Sequence, residues 1–183
     1  INNVSVGSIY MPRVTQNTKS FRDVLAAIAD AKLKVQTAKA GVALPLEGVD
    51  GRFVAPVEDS YESLNNYSAV IKLEYGSHSF LLTGDAERES ENQILDSGAD
   101  LESTVLKVGH HGSRSSTTSK FLNTVKPQFG VIMLAQDNEY GHPHEEVLNR
   151  LNKAGVKLYR TDLDGTIIFS SDGNDLQITS TKS

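Results

Sequence analysis

Apolar residues recur along this chain at two spacings, and the rhythm changes near the middle. In the first half, Phe21, Val24, Leu25 and Ile28 repeat at three and four residues, which places them on one helix face. Ser20 with Asp23 offers a capping pair at the start of that helix. Lys34 to Ala38 and Arg52 to Ala55 read as short strands, separated by a segment punctuated by Gly41, Pro45 and Gly48. Two β-rich runs follow, Tyr67 to Tyr75 and Ser79 to Thr83, joined through Gly76-Ser77-His78 as a hairpin that stops at Gly84-Asp85. His78 reads as an exposed turn residue, not a ligand.

In the second half, short apolar strands alternate with helices. A polar helix is predicted over Glu87 to Leu95, a buried strand over Ser103 to Val108, and a loop over Gly109 to Ser113. A short helix over Lys120 to Val125 and an apolar strand over Phe129 to Leu134 come next. His144 to Ala154 is an amphipathic helix through Val147, Leu148 and Leu151 that stops at Gly155. Val156 to Arg160 is a strand, and Gly165 to Ser170 with Leu176 to Thr179 closes a final hairpin. The pattern predicts α/β construction with antiparallel hairpins mixed in, as a single domain over 1–183.

Composition narrows the function classes. With 183 residues and 38% hydrophobic residues, the chain is long enough for its own core. A net charge of −5 argues against broad, sequence-blind nucleic-acid binding, yet leaves room for a phosphate substrate where a bound dication supplies local positive charge. The chain has no cysteine, which removes thiol catalysis, cysteine-based zinc sites and disulfides together. No apolar run approaches the roughly 18–20 residues that span a bilayer. The sequence starts at Ile1 with no leader-like segment, and reads as a piece of a longer polypeptide.

Four of the five histidines fall in two tight groups, His110-His111 and His142-Pro143-His144. Like Asp85, they follow apolar strands or short loops after them, and side chains at strand ends converge at one sheet edge. A carboxylate with imidazoles is the ligand set for Zn²⁺ or Mn²⁺.

Several segments occur in order: Asn66 to Val70, Phe80-Leu-Leu-Thr-Gly-Asp85-Ala-Glu87, Leu106-Lys-Val-Gly-His-His-Gly-Ser113, Tyr140-Gly-His-Pro-His144, Tyr159 to Asp162 and Gly165-Thr166. Together they resemble the metallo-β-lactamase-fold domain of the ComEC family of competence DNA-uptake proteins and its free-standing secreted relatives. The resemblance covers essentially the whole chain. It implies an αββα sandwich with a two-ion metal site at one edge, and a hydrolase acting on phosphodiester bonds, a nuclease in the membrane-bound members. It also implies an extracellular or cell-surface setting. The family's first metal motif, rich in His and Asp, has no counterpart before Thr15. The chain therefore reads as the C-terminal portion of the sandwich, lacking the N-terminal strands. On its own it is expected to be inactive, and to pair with the missing segment or a second copy.

The resemblance assigns roles. Asp85 is the carboxylate shared by two ions. His111 is the preferred ligand of the adjacent pair, with His110 as a ligand or as a residue oriented by hydrogen bonding. Ser113, His142, His144 and Asn66 are the substrate-side residues, with His144 a phosphate donor or leaving-group acid; Asn66 reads alternatively as a brace or turn former. Two other readings stand beside this one. The chain could be a degenerate, non-catalytic sandwich that binds DNA or a cell-surface partner, or a phosphoesterase of small-molecule or cell-wall substrates. A β-lactam hydrolase is set aside, because Gly109 to Ser113 follows the ComEC pattern.

Overall fold

A computed structural model describes Ile1 and residues 3–182. In chain order the elements are β1 (Ile9–Met11), α1 (Lys19–Asp30), β2 (Val35–Thr37), β3 (Ala43–Leu44), β4 (Asp50–Ala55), β5 (Val70–Tyr75) and β6 (His78–Leu82). Then come α2 (Arg88–Asp96), β7 (Val105–Lys107), α3 (Ser119–Val125), β8 (Phe129–Ile132), α4 (Glu145–Lys153) and β9 (Lys157–Arg160). The chain closes with α5 (Thr161–Asp164), β10 (Ile167–Ser171) and β11 (Leu176–Ser180).

Strands β3 to β9 form one mixed sheet in sequential order. The pairs from β3 to β6 are antiparallel, and those from β6 to β9 are parallel. Each parallel step needs a crossover, and α2, α3 and α4 supply them. Successive right-handed crossovers in one direction place all three helices on one face. The core shows this directly: Leu81, Leu106 and Ile132 of the strands pack with Ile94, Phe121, Leu122, Val147 and Leu151 of the helices.

The opposite face carries the β10–β11 hairpin, whose Phe169 ring lies 6.3 Å from Phe80, 6.0 Å from Phe129 and 5.9 Å from Tyr159. Tyr10 of β1 meets Phe53 of β4 at 5.3 Å. The mixed α/β class and the large mixed sheet match the reading of the alternating pattern. Besides the seven-stranded sheet, the described residues form the two-stranded ribbons β1–β2 and β10–β11. No helix among these residues is long and apolar enough to cross a membrane.

Two local expectations are corrected. The cap of α1 is Thr18, whose hydroxyl accepts from the Phe21 amide at 3.2 Å, and Ser20 already lies within the helix. His78 opens β6 and is half-buried, its Nδ1 2.7 Å from Ser171 Oγ. The Ser77 amide next to it donates to the Gly173 carbonyl at 2.7 Å, so this turn docks on the C-terminal hairpin.

Candidate metal centre

The site lies where β6, β7 and β8 end, at the carboxyl edge of the parallel strands, a placement that α/β folds favour for ligands. After β6 the chain turns sharply at Gly84, whose φ of +56° is easy only for glycine; an added Cβ would sit 3.0 Å from Ser68. The Gly84 carbonyl accepts from the His110 amide at 3.1 Å and from Lys107 Nζ at 3.0 Å, while the Asp85 amide donates to Ser68 Oγ at 3.0 Å. Asp85 is thereby held in place with its carboxylate partly exposed.

Beyond β7, His110 and His111 both adopt left-handed backbone, with φ of 46° and 54°. Such residues cost about 1–2 kcal/mol each, and their geometry splays the two rings apart. The His110 Nδ1 lies 3.2 Å from Glu87 Oε1, so its Nδ1–H donates to the carboxylate and Nε2 is left with its lone pair. Burial would raise the Glu87 carboxyl, but hydrogen bonds from Ser115, Ser63 and Asn65 and the neighbouring His110 hold it below the usual range. The His111 Nδ1–H donates to the Met133 carbonyl at the end of β8, which turns Nε2 toward Asp85, 3.4 Å from Oδ1.

The 142–144 segment closes over this pair. The His144 amide donates to the Gly112 carbonyl at 3.0 Å, and a Cβ on Gly112 would meet Pro143 at 2.7 Å, so only glycine permits the approach. The ring of His142 sits 5.7 Å from His110 and 4.9 Å from His144. Burial, then the nearby His144, His110 and His111, push its pKa below the ordinary imidazole value. His144 Nδ1 accepts from the Arg114 amide at 3.1 Å, which leaves Nε2 carrying the proton as a donor.

The remaining expected residues lie behind these. Ser113 is 7% exposed and its Oγ lies 3.0 Å from Ser115 Oγ, so it organises the loop. Asn66, 3% exposed, is a brace: Oδ1 accepts from the Glu87 and Ser90 amides at 3.0 and 3.2 Å, and Nδ2 donates to Glu89 at 2.8 Å. It caps α2, whose N-cap residue Glu87 offers no side-chain cap.

Three residues in this shell carried no role in the sequence reading. Lys107 is largely buried below Asp85, and that burial lowers its pKa while Asp85 opposes the shift. Glu87 orients His110. Glu91, 2% exposed and raised in pKa by burial, accepts from the Thr117 amide and from the Thr118 amide at 2.8 Å, fixing the loop after the histidines. Hydrophobic pattern is silent on all three, because their partners are distant in sequence.

Zinc–nitrogen and zinc–oxygen bonds of about 2.0–2.1 Å give a tetrahedral edge of about 3.3–3.4 Å. The Asp85–His111 separation of 3.4 Å matches that edge, and the Met133 hydrogen bond fixes the ring that bears the free lone pair. The two residues fit as half of a coordination sphere. No group of three His, Asp or Glu side chains able to hold an ion occurs among the described residues.

No family model matches the chain. Three competence- or recombination-named proteins do match it. ComE operon protein 3 of Bacillus subtilis is 35% identical over 144 residues, which is 79% of this chain and 19% of that protein. Competence protein ComA of Neisseria gonorrhoeae is 40% identical over 124 residues, 67% of this chain and 18% of that protein. Recombination protein 2 of Haemophilus influenzae is 31% identical over 121 residues, 66% of this chain and 15% of that protein. The chain is thus a homologue of the ComEC-family competence proteins, matched over a segment less than a fifth as long as those relatives.

Proposed function

We propose that this chain forms part of a metal-dependent hydrolase of phosphodiester bonds, a nuclease acting in competence at the cell surface. The homologues' names support the competence role and a cell-envelope setting. The hydrolase reading rests on one observation: Asp85 Oδ1 and His111 Nε2 face each other at a coordination-edge distance, on a rigid turn beside further imidazoles. Asp85 and His111 would hold a Zn²⁺ or Mn²⁺ ion, while His110, expected beside them as a ligand, is turned to Glu87. Such cations supply Lewis-acid polarisation of a phosphoryl oxygen and a hydroxide nucleophile near neutral pH.

The chain's own residues do the rest. His144, with its proton on Nε2, donates to a phosphate oxygen or the leaving group. His142 lies beside it. Lys107 fixes the Gly84 carbonyl and places buried positive charge behind Asp85. The remaining ligands would come from water or from groups outside the described residues. One observation favours the non-catalytic alternative, namely that two facing donors leave the sphere incomplete.

Calorimetric titration with Mn²⁺ and Zn²⁺, and cleavage of a bis-aryl phosphate and of single- and double-stranded DNA, test this reading. Asp85→Ala and His111→Ala are expected to weaken ion binding. In a longer polypeptide that restores activity, Asp85→Ala abolishes cleavage, whereas His144→Ala leaves a residue after a loss of roughly 10²–10⁴-fold. Equal ion affinity in wild type and both variants would remove these residues from the site.

A further inference from the structure

A cavity of about 210 Å³ adjoins the candidate centre, lined by Met133, Leu134, Ala135 and Tyr140 together with Asn138, His111 and His142. It is smaller than the roughly 300–1,000 Å³ of sites for drug-sized ligands, so it suits one flat ring system. Tyr140 is 79% exposed, and its ring stacks on His142 with centroids 5.8 Å apart and planes 25° from parallel. An aromatic ring this exposed contributes little to the core, but it presents a flat face beside the catalytic edge.

The loop that carries it is built in advance. Asn138 Nδ2 donates to the Ala135 carbonyl at 3.1 Å and the His142 carbonyl at 2.8 Å, and Asn138 Oδ1 accepts from the His142 amide at 3.0 Å. Both amide hydrogens are therefore committed to the loop. A sugar hydroxyl would find few partners here, whereas a flat apolar face would be received by stacking.

We propose that this pocket is a nucleobase subsite: a base next to the scissile phosphodiester enters it and stacks on the ring face of Tyr140 that His142 leaves free. The proposal rests on the phosphodiester reading and names its substrate as a single strand, because a base in a duplex is already stacked on its neighbours. It also implies tolerance of base identity, since every base has a π-face and the pocket offers little to read base edges.

The test is fluorescence anisotropy in EDTA, where no cleavage intervenes, with a labelled oligothymidylate, an abasic oligomer of equal length, and a duplex. Stacking of one base contributes about 1–3 kcal/mol, so wild type is expected to bind oligothymidylate roughly 5- to 150-fold tighter than the abasic strand. Tyr140→Ala should erase that preference and Tyr140→Phe should keep it. Truncating so exposed a ring leaves the core untouched, so both variants should fold. Equal affinity for the two strands in wild type, or an unchanged preference in Tyr140→Ala, would overturn the subsite while leaving phosphodiester hydrolysis standing. A base-dependent affinity, with no cleavage in any metal by a longer polypeptide that includes this chain, would retain the subsite and remove the hydrolase. No binding of either strand would overturn the subsite and, because EDTA strips the ions, leave the hydrolase standing.

Discussion

His110 and His111 show what single residues cost and deliver at this site. Both hold left-handed backbone without being glycine, which gives the two rings divergent directions, one to Glu87 and one to Asp85. In an ordinary helix, glycine is less stable than alanine by roughly 0.5–1 kcal/mol. At His111 the order should reverse, with His111→Gly more stable than His111→Ala by about 1 kcal/mol, because both lose the imidazole and only alanine keeps the strained Cβ. Chemical denaturation of the two variants checks this. His142 makes a second residue-scale prediction. Its folded pKa is lowered by burial and by three neighbouring imidazoles, so the unfolded chain takes up its proton first as pH falls. Stability should therefore be insensitive to this group above the ordinary imidazole value of about 6.5, and decline below it. Melting temperatures across that range should fall less steeply for His142→Gln than for wild type.

At the scale of elements, the site depends on a helix start that is capped from another segment. Helix α2 begins at Arg88, its N-cap residue Glu87 makes no side-chain cap, and the amide oxygen of Asn66, twenty-one residues before Glu87, takes the Glu87 and Ser90 amides. Removing a cap costs about 1–2 kcal/mol, and here two buried amides lose their acceptor. Asn66→Ala should cost about 2 kcal/mol by denaturant titration. It should also loosen Glu87, and with it His110, visible as a change in the His110 ring resonances while His144 stays unmoved. The amphipathic helices α1 and α4, the β5–β6 hairpin and the alternation of strand and helix after Gly84 were legible from spacing alone, because each is set by local period. The cap of α1 and the role of His78 were not, since Thr18 outcompetes Ser20 through backbone geometry and His78 answers to Ser171 on a distant hairpin.

For the molecule as a whole, the two faces of the sheet are fastened differently. One face is sealed by three crossover helices over a continuous core. The other is held near the β5–β6 turn by a close approach of two glycines, where a Cβ on Gly76 would lie 2.1 Å from the Gly173 carbonyl oxygen. Gly76 also has φ of +57°. Gly76→Ala combines backbone strain with an unavoidable backbone clash, and a loss of about 2–4 kcal/mol is expected. Hydrogen exchange should show β10 and β11 losing protection while Leu106 and Ile132 in the helix-covered core keep theirs. Unchanged protection in the hairpin would mean that the Phe169 aromatic cluster alone holds it.

Local pattern along the chain specifies the class of structure and the identity of the chemical groups. Period-two and period-three-to-four patterns specify strands and helices, and the grouping of histidines after apolar strands marks one edge of a sheet. How those groups face one another is set by packing between distant segments. That His111 turns Nε2 to Asp85 depends on the Met133 carbonyl, twenty-two residues on. Glu87 holds His110 across twenty-three residues, and Lys107 reaches the Gly84 carbonyl across the same separation. Hydrogen bonds act over about 3 Å in space, whatever the distance along the chain, so ligand orientation is legible only once the parallel strands have brought their ends together.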